Sequence, residues 1–153
     1  MLLVDANIWL EALLEQERAD EVRRFLDAVP LSELAVTEFS VCAIGLLLSR
    51  ANRDDLFLRF VSDVLLETGI ARIALNGDGL RDTVEARKRF RLDFDDAYQY
   101  VAAEKHGMTL VSFDADFDRT DRGRRTPADI LGEPPVARDR PATKPPRRRT
   151  RKP

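Results

Sequence analysis

One cysteine, one histidine and one tryptophan occur in 153 residues. Cys42 stands alone in an apolar stretch, which excludes a disulfide framework and fits a reducing cytoplasm. His106 has no second histidine and no patterned cysteine beside it, so zinc ligation and Cys/His nucleophilic chemistry have no support. Its place before Gly107 reads instead as a helix C-terminal residue near the dipole. No apolar run approaches the roughly 20 residues that cross a bilayer. No basic segment precedes the apolar start either, so the expectation is a cytoplasmic chain with no membrane partner and no secretory signal. No internal repeat is visible.

What is present is charge. Charged residues make up 34% of the chain beside 44% hydrophobic ones, a balance that buries a core and stays soluble. The net charge of −2 conceals an asymmetry. From Glu133 onward the chain reads EPPVARDRPATKPPRRRTRKP, eight basic and two acidic residues, net +6, against −8 for the preceding 132. Residues 1–132 are therefore read as one folded domain. Residues 133–153 are read as a Pro/Arg-rich tail that cannot bury a core and is expected to be disordered. That tail suits a solubilising spacer and an electrostatic tether to RNA phosphates equally. Folding back onto the acidic groove is a third reading.

Apolar runs and their punctuation predict strands at 1–5, 34–36, 70–75 and 108–113. Helical spacing predicts helices over 7–14, 18–28, 38–49, 53–67 and 79–90, and from Asp93 to His106. RTPADIL is read as a last short strand and turn. Strands separated by helical stretches argue for an α/β domain with a mainly parallel sheet. Trp9, Tyr98 and Tyr100 fit a core or an interface between copies. The basic run Arg81, Arg87, Lys88, Arg89, Arg91 is a solvated helix face that could also meet an RNA backbone.

In an open parallel sheet, ligands bind at the carboxyl ends of the strands. Asp5 ends the first strand in MLLVDANIWL, Glu38 follows the second in AVTEF, and Asp114 and Asp116 follow the fourth in LVSFDADFD. Asp96 sits in the first turn of a helix in LDFDDA. Carboxylates gathered there repel one another unless a cation neutralises them, and Mg²⁺ or Mn²⁺ suits all-oxygen donors. Such an ion would activate water against a phosphodiester. Each acid also has a local reading. Asp5 suits a helix N-cap, Glu38 suits a first-turn glutamate, and Asp93 with Asp96 suits a capping box. Asp95 is read as solvent-facing, and Asp118 and Asp121 as loop charges beside Arg119 and Arg122. A calcium-loop reading of DADFD fails, because its glycine and final glutamate positions hold Arg119 and Arg125.

The four segments LLVDANIWL, AVTEFS, LDFDDAYQYVAAEKHG and LVSFDADFD, in this order over residues 1 to about 131, resemble the PIN-domain ribonucleases. Within that family they resemble the VapC-type toxins of bacterial toxin–antitoxin pairs. The resemblance implies a three-layer α/β/α fold. It implies an Mg²⁺- or Mn²⁺-binding quartet of Asp5, Glu38, Asp96 and Asp114, with Asp116 as a further metal-holding acid. Asn7 would orient the Asp5 carboxylate or a metal-bound water. It also implies an RNA substrate, a cognate antitoxin and a homodimer, with the helix pair 38–67 as a projection whose apolar faces contact both proteins. Two alternatives bear on the same residues. A non-catalytic PIN module would bind RNA or protein, but every acid is retained. A haloacid dehalogenase-type phosphatase needs a second aspartate where Asn7 stands.

Overall fold

The computed structural model describes residues 1–67 and 69–133. Four short strands, β1 (Leu2–Val4), β2 (Leu34–Thr37), β3 (Ala71–Ile73) and β4 (Thr109–Val111), form a parallel sheet in the order β3-β2-β1-β4. The register pairs Leu3 with Ala35 and Leu110, and Val36 with Arg72. Among the described residues, seven α-helices surround the sheet: α1 (Ala6–Leu13), α2 (Ala19–Ala28), α3 (Glu38–Arg50), α4 (Asp54–Phe60), α5 (Gly77–Phe90), α6 (Phe94–Lys105) and α7 (Pro127–Leu131). Among the described residues, no helix is long and apolar enough to cross a membrane.

Strand side chains alternate in direction, so each strand feeds two cores. Leu3, Ala35 and Leu110 pack with Leu92, Val101 and Phe117 on the α5–α6 side. Val4, Val36 and Val111 pack with Ile8, Phe25, Ile44 and Phe60 on the α1–α4 side. The result is the expected three-layer α/β/α arrangement, with the central strand β1 covered on both faces.

Local chemistry sets the element ends. Thr37 caps α3 by accepting from Ser40 N, and Gly107 takes φ +61 just past the end of α6, where a side chain would be strained. Gly45 lets α3 and α4 approach, since a Cβ there would meet the Phe57 ring at 2.9 Å. Buried Glu21 joins α2 to α7: Arg18 donates to its carboxylate at 2.9 and 3.0 Å, and Ala128 N donates at 3.0 Å.

Two expectations need correction. RTPADIL forms a single bridge between Val111 and Arg125 and then the helix α7, because Thr126 and Asp129 make a reciprocal capping box around Pro127. The stretch 53–67 is not one uniform α-helix. After Phe60 it widens into a π-helix over Val61–Leu66, with Glu67 N donating to Ser62 O. Cys42 is exposed despite its apolar neighbours, and Leu47 on the same helix is 44% exposed. The tail reading falls on residues 134–153, outside the described residues.

Candidate active site at the carboxyl edge of the sheet

Asp5 sits where β1 turns into α1 and is the N-cap of that helix. Its carboxylate is almost fully buried, at 8% exposure. It accepts hydrogen bonds from Ala6 N at 2.6 Å, Ser112 Oγ at 2.7 Å, Asn7 Nδ2 at 2.8 Å and Gln99 Nε2 at 3.4 Å. Burial pushes its pKa up to about 6. The bonds from Ser112 and Ala6 oppose that rise, while the charges of Asp114 and Asp95 add to it.

Ser112, fully buried just past β4, is the hub that sequence reasoning missed. Its hydroxyl donates to Asp5 and accepts from Asn7 Nδ2 at 2.9 Å and from Asp114 N at 3.0 Å. Asn7 Oδ1 accepts from Phe113 N at 3.2 Å, so Asn7 clamps the first strand end to the last. Behind Asp5, the Gln99 amide also donates to Ser40 Oγ, and the buried Gln99 Oε1 has no hydrogen-bond partner. A neutral serine or glutamine inside an apolar run carries no signal that sequence reading could use.

Asp96 lies in the first turn of α6, and Asp114 caps the 3₁₀ turn Ala115–Arg119, accepting from Asp116 N at 2.8 Å. One carboxylate oxygen from each of Asp96, Asp114 and Asp116 lies within 4.8 Å of the others. Burial, followed by repulsion from Asp95, Asp114, Asp5 and Asp116, raises Asp96 to about 8. Asp5 and Glu38 lie outside this trio. Glu38 opens α3 and faces Arg72 of β3 at 3.7 Å. Asp116 is ion-paired with Arg119. Asp95 is exposed, as expected.

Of three neighbouring acids, one lacks the capping bond read from the sequence, and two are exposed charges as read, with partners further away in the chain. Asp93 occupies the N-cap of α6, but its side chain makes no capping hydrogen bond. Asp118 pairs with Arg124 at 3.2 Å, and Asp121 accepts from Tyr100 Oη at 2.7 Å and faces Arg89 at 3.4 Å.

Three half-buried carboxylates, all hard oxygen donors and one of them held far above its ordinary pKa, form a donor set that fits Mg²⁺ or Mn²⁺. The consequence for stability has a definite sign. Aspartates titrate near 3.8 in the unfolded chain, against about 6 and about 8 for Asp5 and Asp96 in the fold. Between those values the folded state holds protons that the unfolded state has released. Metal-free stability therefore falls as pH rises from about 4 to about 8. A bound cation favours the deprotonated carboxylates, so the gain in melting temperature with Mg²⁺ should be larger at pH 8.5 than at pH 5. Equal gains at both pH values would place the ion elsewhere.

The family model described as PIN domain matches residues 2–123. No curated protein matches the sequence. Several solved structures share the fold. VapC20 of Mycobacterium tuberculosis, described as a sarcin-ricin loop cleaving toxin, is 17% identical with a TM-score of 0.72, covering 82% of this chain and 99% of its own. A toxin–antitoxin complex from Klebsiella pneumoniae is 23% identical with a TM-score of 0.64, covering 83% and 98%. FitAcB from Neisseria gonorrhoeae is 18% identical with a TM-score of 0.66, covering 83% and 98%. At these identities the likeness is one of fold.

Proposed function

The chain belongs to the PIN-domain family, and from that premise we propose that it is a divalent-metal-dependent endoribonuclease, the toxin of a VapC-type toxin–antitoxin pair. The observation that carries this reading is the convergence of Asp96, Asp114 and Asp116 at one end of the sheet, beside a rigidly bonded Asp5. Asp96, Asp114 and Asp116 would hold Mg²⁺ or Mn²⁺, with Asp5 completing the negative wall. When bound, the ion acidifies water and offsets the charge that builds on a phosphodiester under in-line attack.

The chain's own groups supply orientation. Asn7, Ser112 and Ala6 N fix both Asp5 oxygens, so this carboxylate cannot swing away. Glu38, nearly half exposed and facing Arg72, would accept a proton from an attacking water or join the ligand set. Arg119 offsets the charge on Asp116.

The fold likeness to a toxin–antitoxin complex favours an antitoxin as partner, and the setting proposed with it is cytoplasmic. We assign the antitoxin contact, and a homodimer contact, to the projection formed by α3, α4 and the π-helical turn. It exposes Leu46, Leu47, Leu58 and Leu66. Beside it lies a groove of about 650 Å³ lined by Trp9, Leu13, Leu26, Leu56, Phe60 and Val64, which shares none of the site carboxylates.

The test is cleavage of total cellular RNA by purified, antitoxin-free protein. Cutting in Mg²⁺ or Mn²⁺ that stops in EDTA is expected. A folded protein that cuts in neither metal would overturn the reading in favour of a PIN module that binds RNA or protein without cleaving.

A further inference from the structure

Phe94 is 42% exposed, alone among the aromatic side chains of this chain, and it stands two residues before Asp96 at the start of α6. A single exposed apolar residue is ordinary. Phe94 differs in what lies behind it. Its ring centroid is 6.0 Å from that of Phe39, and Phe39 stacks on Tyr98 at 5.2 Å with an interplanar angle of 28°. Tyr98 is buried, and its hydroxyl accepts from Leu75 N at 2.9 Å. The exposed ring is therefore the outer rung of a three-ring ladder rooted in the core. Phe39 follows Glu38, so the ladder runs between the two helices that carry Glu38 and Asp96.

The charges around this ladder have an order of their own. Along the carboxyl edge, the strand sequence β3-β2-β1-β4 places Arg72, Glu38, Asp5 and then Asp114 and Asp116 with Arg119. At the usual spacing of neighbouring strands this edge spans about 14 Å. Guanidinium groups thus bracket the acids on both sides, Arg72 at 56% and Arg119 at 44% exposure, Arg119 being also anchored to the Asp116 and Arg91 carbonyls. Acids alone would repel a polyanion, whereas cations at the two ends, with an aromatic face between the helices that carry Glu38 and Asp96, suit a single strand laid across the edge.

We propose that Phe94 is a base-stacking platform for single-stranded RNA. It holds the base of a nucleotide beside the scissile phosphate, while Arg72 and Arg119 contact phosphates on either side. The inference rests on the endoribonuclease reading. Stacking on an aromatic face tolerates any base, so Phe94 contributes affinity and demands an unpaired nucleotide without selecting its identity. A paired base remains stacked in its own helix and cannot reach the ring.

The experiment measures binding of a short fluorescein-labelled single-stranded RNA with phosphorothioate linkages in Mg²⁺, by anisotropy, to the full chain and to Phe94→Ala and Phe94→Trp. Mn²⁺ affinity by electron paramagnetic resonance and mass by light scattering accompany it. Phe94→Ala should bind about 10- to 100-fold more weakly, and Phe94→Trp at least as tightly as the parent. Mn²⁺ affinity and mass should be unchanged. Unchanged binding by Phe94→Ala, or equal losses in both variants, would overturn the platform. A change of mass in Phe94→Ala would assign the ring to an interface between copies instead. Failure of the parent to cut cellular RNA is a separate result and overturns the endoribonuclease reading alone.

Discussion

Asp96→Asn should lower the rate of RNA cleavage by on the order of 10³-fold, about 4 kcal/mol of transition-state stabilisation, and leave the metal-free protein at least as stable. The two effects have one cause. Asp96 is held at about 8 because it is half-buried among Asp95, Asp114, Asp5 and Asp116. Asparagine keeps the shape and removes the charge. Without metal this relieves repulsion, so in EDTA above pH 8 the variant should melt at or above the parent's temperature. With Mg²⁺ the parent should gain stability and the variant little, because one of the three closest oxygen donors has become a neutral amide. Melting curves with and without metal, beside cleavage assays, separate these outcomes. Full activity in the variant would remove Asp96 from the site. A variant that melts well below the parent in EDTA would mean that the carboxylate supports the fold.

The largest loss of stability should come from Phe117→Ala. Phe117 is fully buried in the α5–α6 core, yet it belongs to the short turn that carries Asp114 and Asp116. Truncating a buried phenylalanine costs about 3–5 kcal/mol. For a domain of this size that is a fall of about 10–15 °C in melting temperature. Its carbonyl accepts from Thr120 Oγ1 at 2.7 Å and Thr120 N at 3.0 Å, so the backbone turn keeps local ties when the ring is gone. Cleavage should then fall further than the unfolded fraction explains, because Asp116 loses the anchor beside it. Phe117→Leu, which refills most of the volume, should restore most of both properties. A melting temperature within about 3 °C of the parent for Phe117→Ala would show that the turn is not held by this ring.

Much of this architecture is legible in the residues because opposing requirements meet at single positions. A run such as LLVD has to be buried and has to end on a charge, which places a strand terminus at Asp5. The same logic places Glu38 and Asp114. What was hidden is of two kinds. Ser112 and Gln99 act through neutral hydrogen bonds to Asp5, and their type and spacing look like those of any polar residue in a core segment. The π-helical widening after Phe60 keeps the apolar spacing of an α-helix, so periodicity cannot reveal it. The helix α7 was readable in principle, since Thr126-Pro127 followed by Asp129 is a helix start. The capping box decides the matter, and Ala128 N donating to Glu21 ties α7 to α2.

The hydrogen bond between Asp5 and Ser112 joins residues 107 apart in the chain, and this separation sets a clock for synthesis. A ribosome adding roughly 5–20 residues per second takes roughly 5–20 s to travel from one to the other. Until β4 has emerged, β1 lacks one of its two neighbours and the carboxylates cannot gather. On the reading proposed above, the site stays incomplete until β4 has emerged, and the interval would give a companion protein made alongside it time to be waiting when the edge closes.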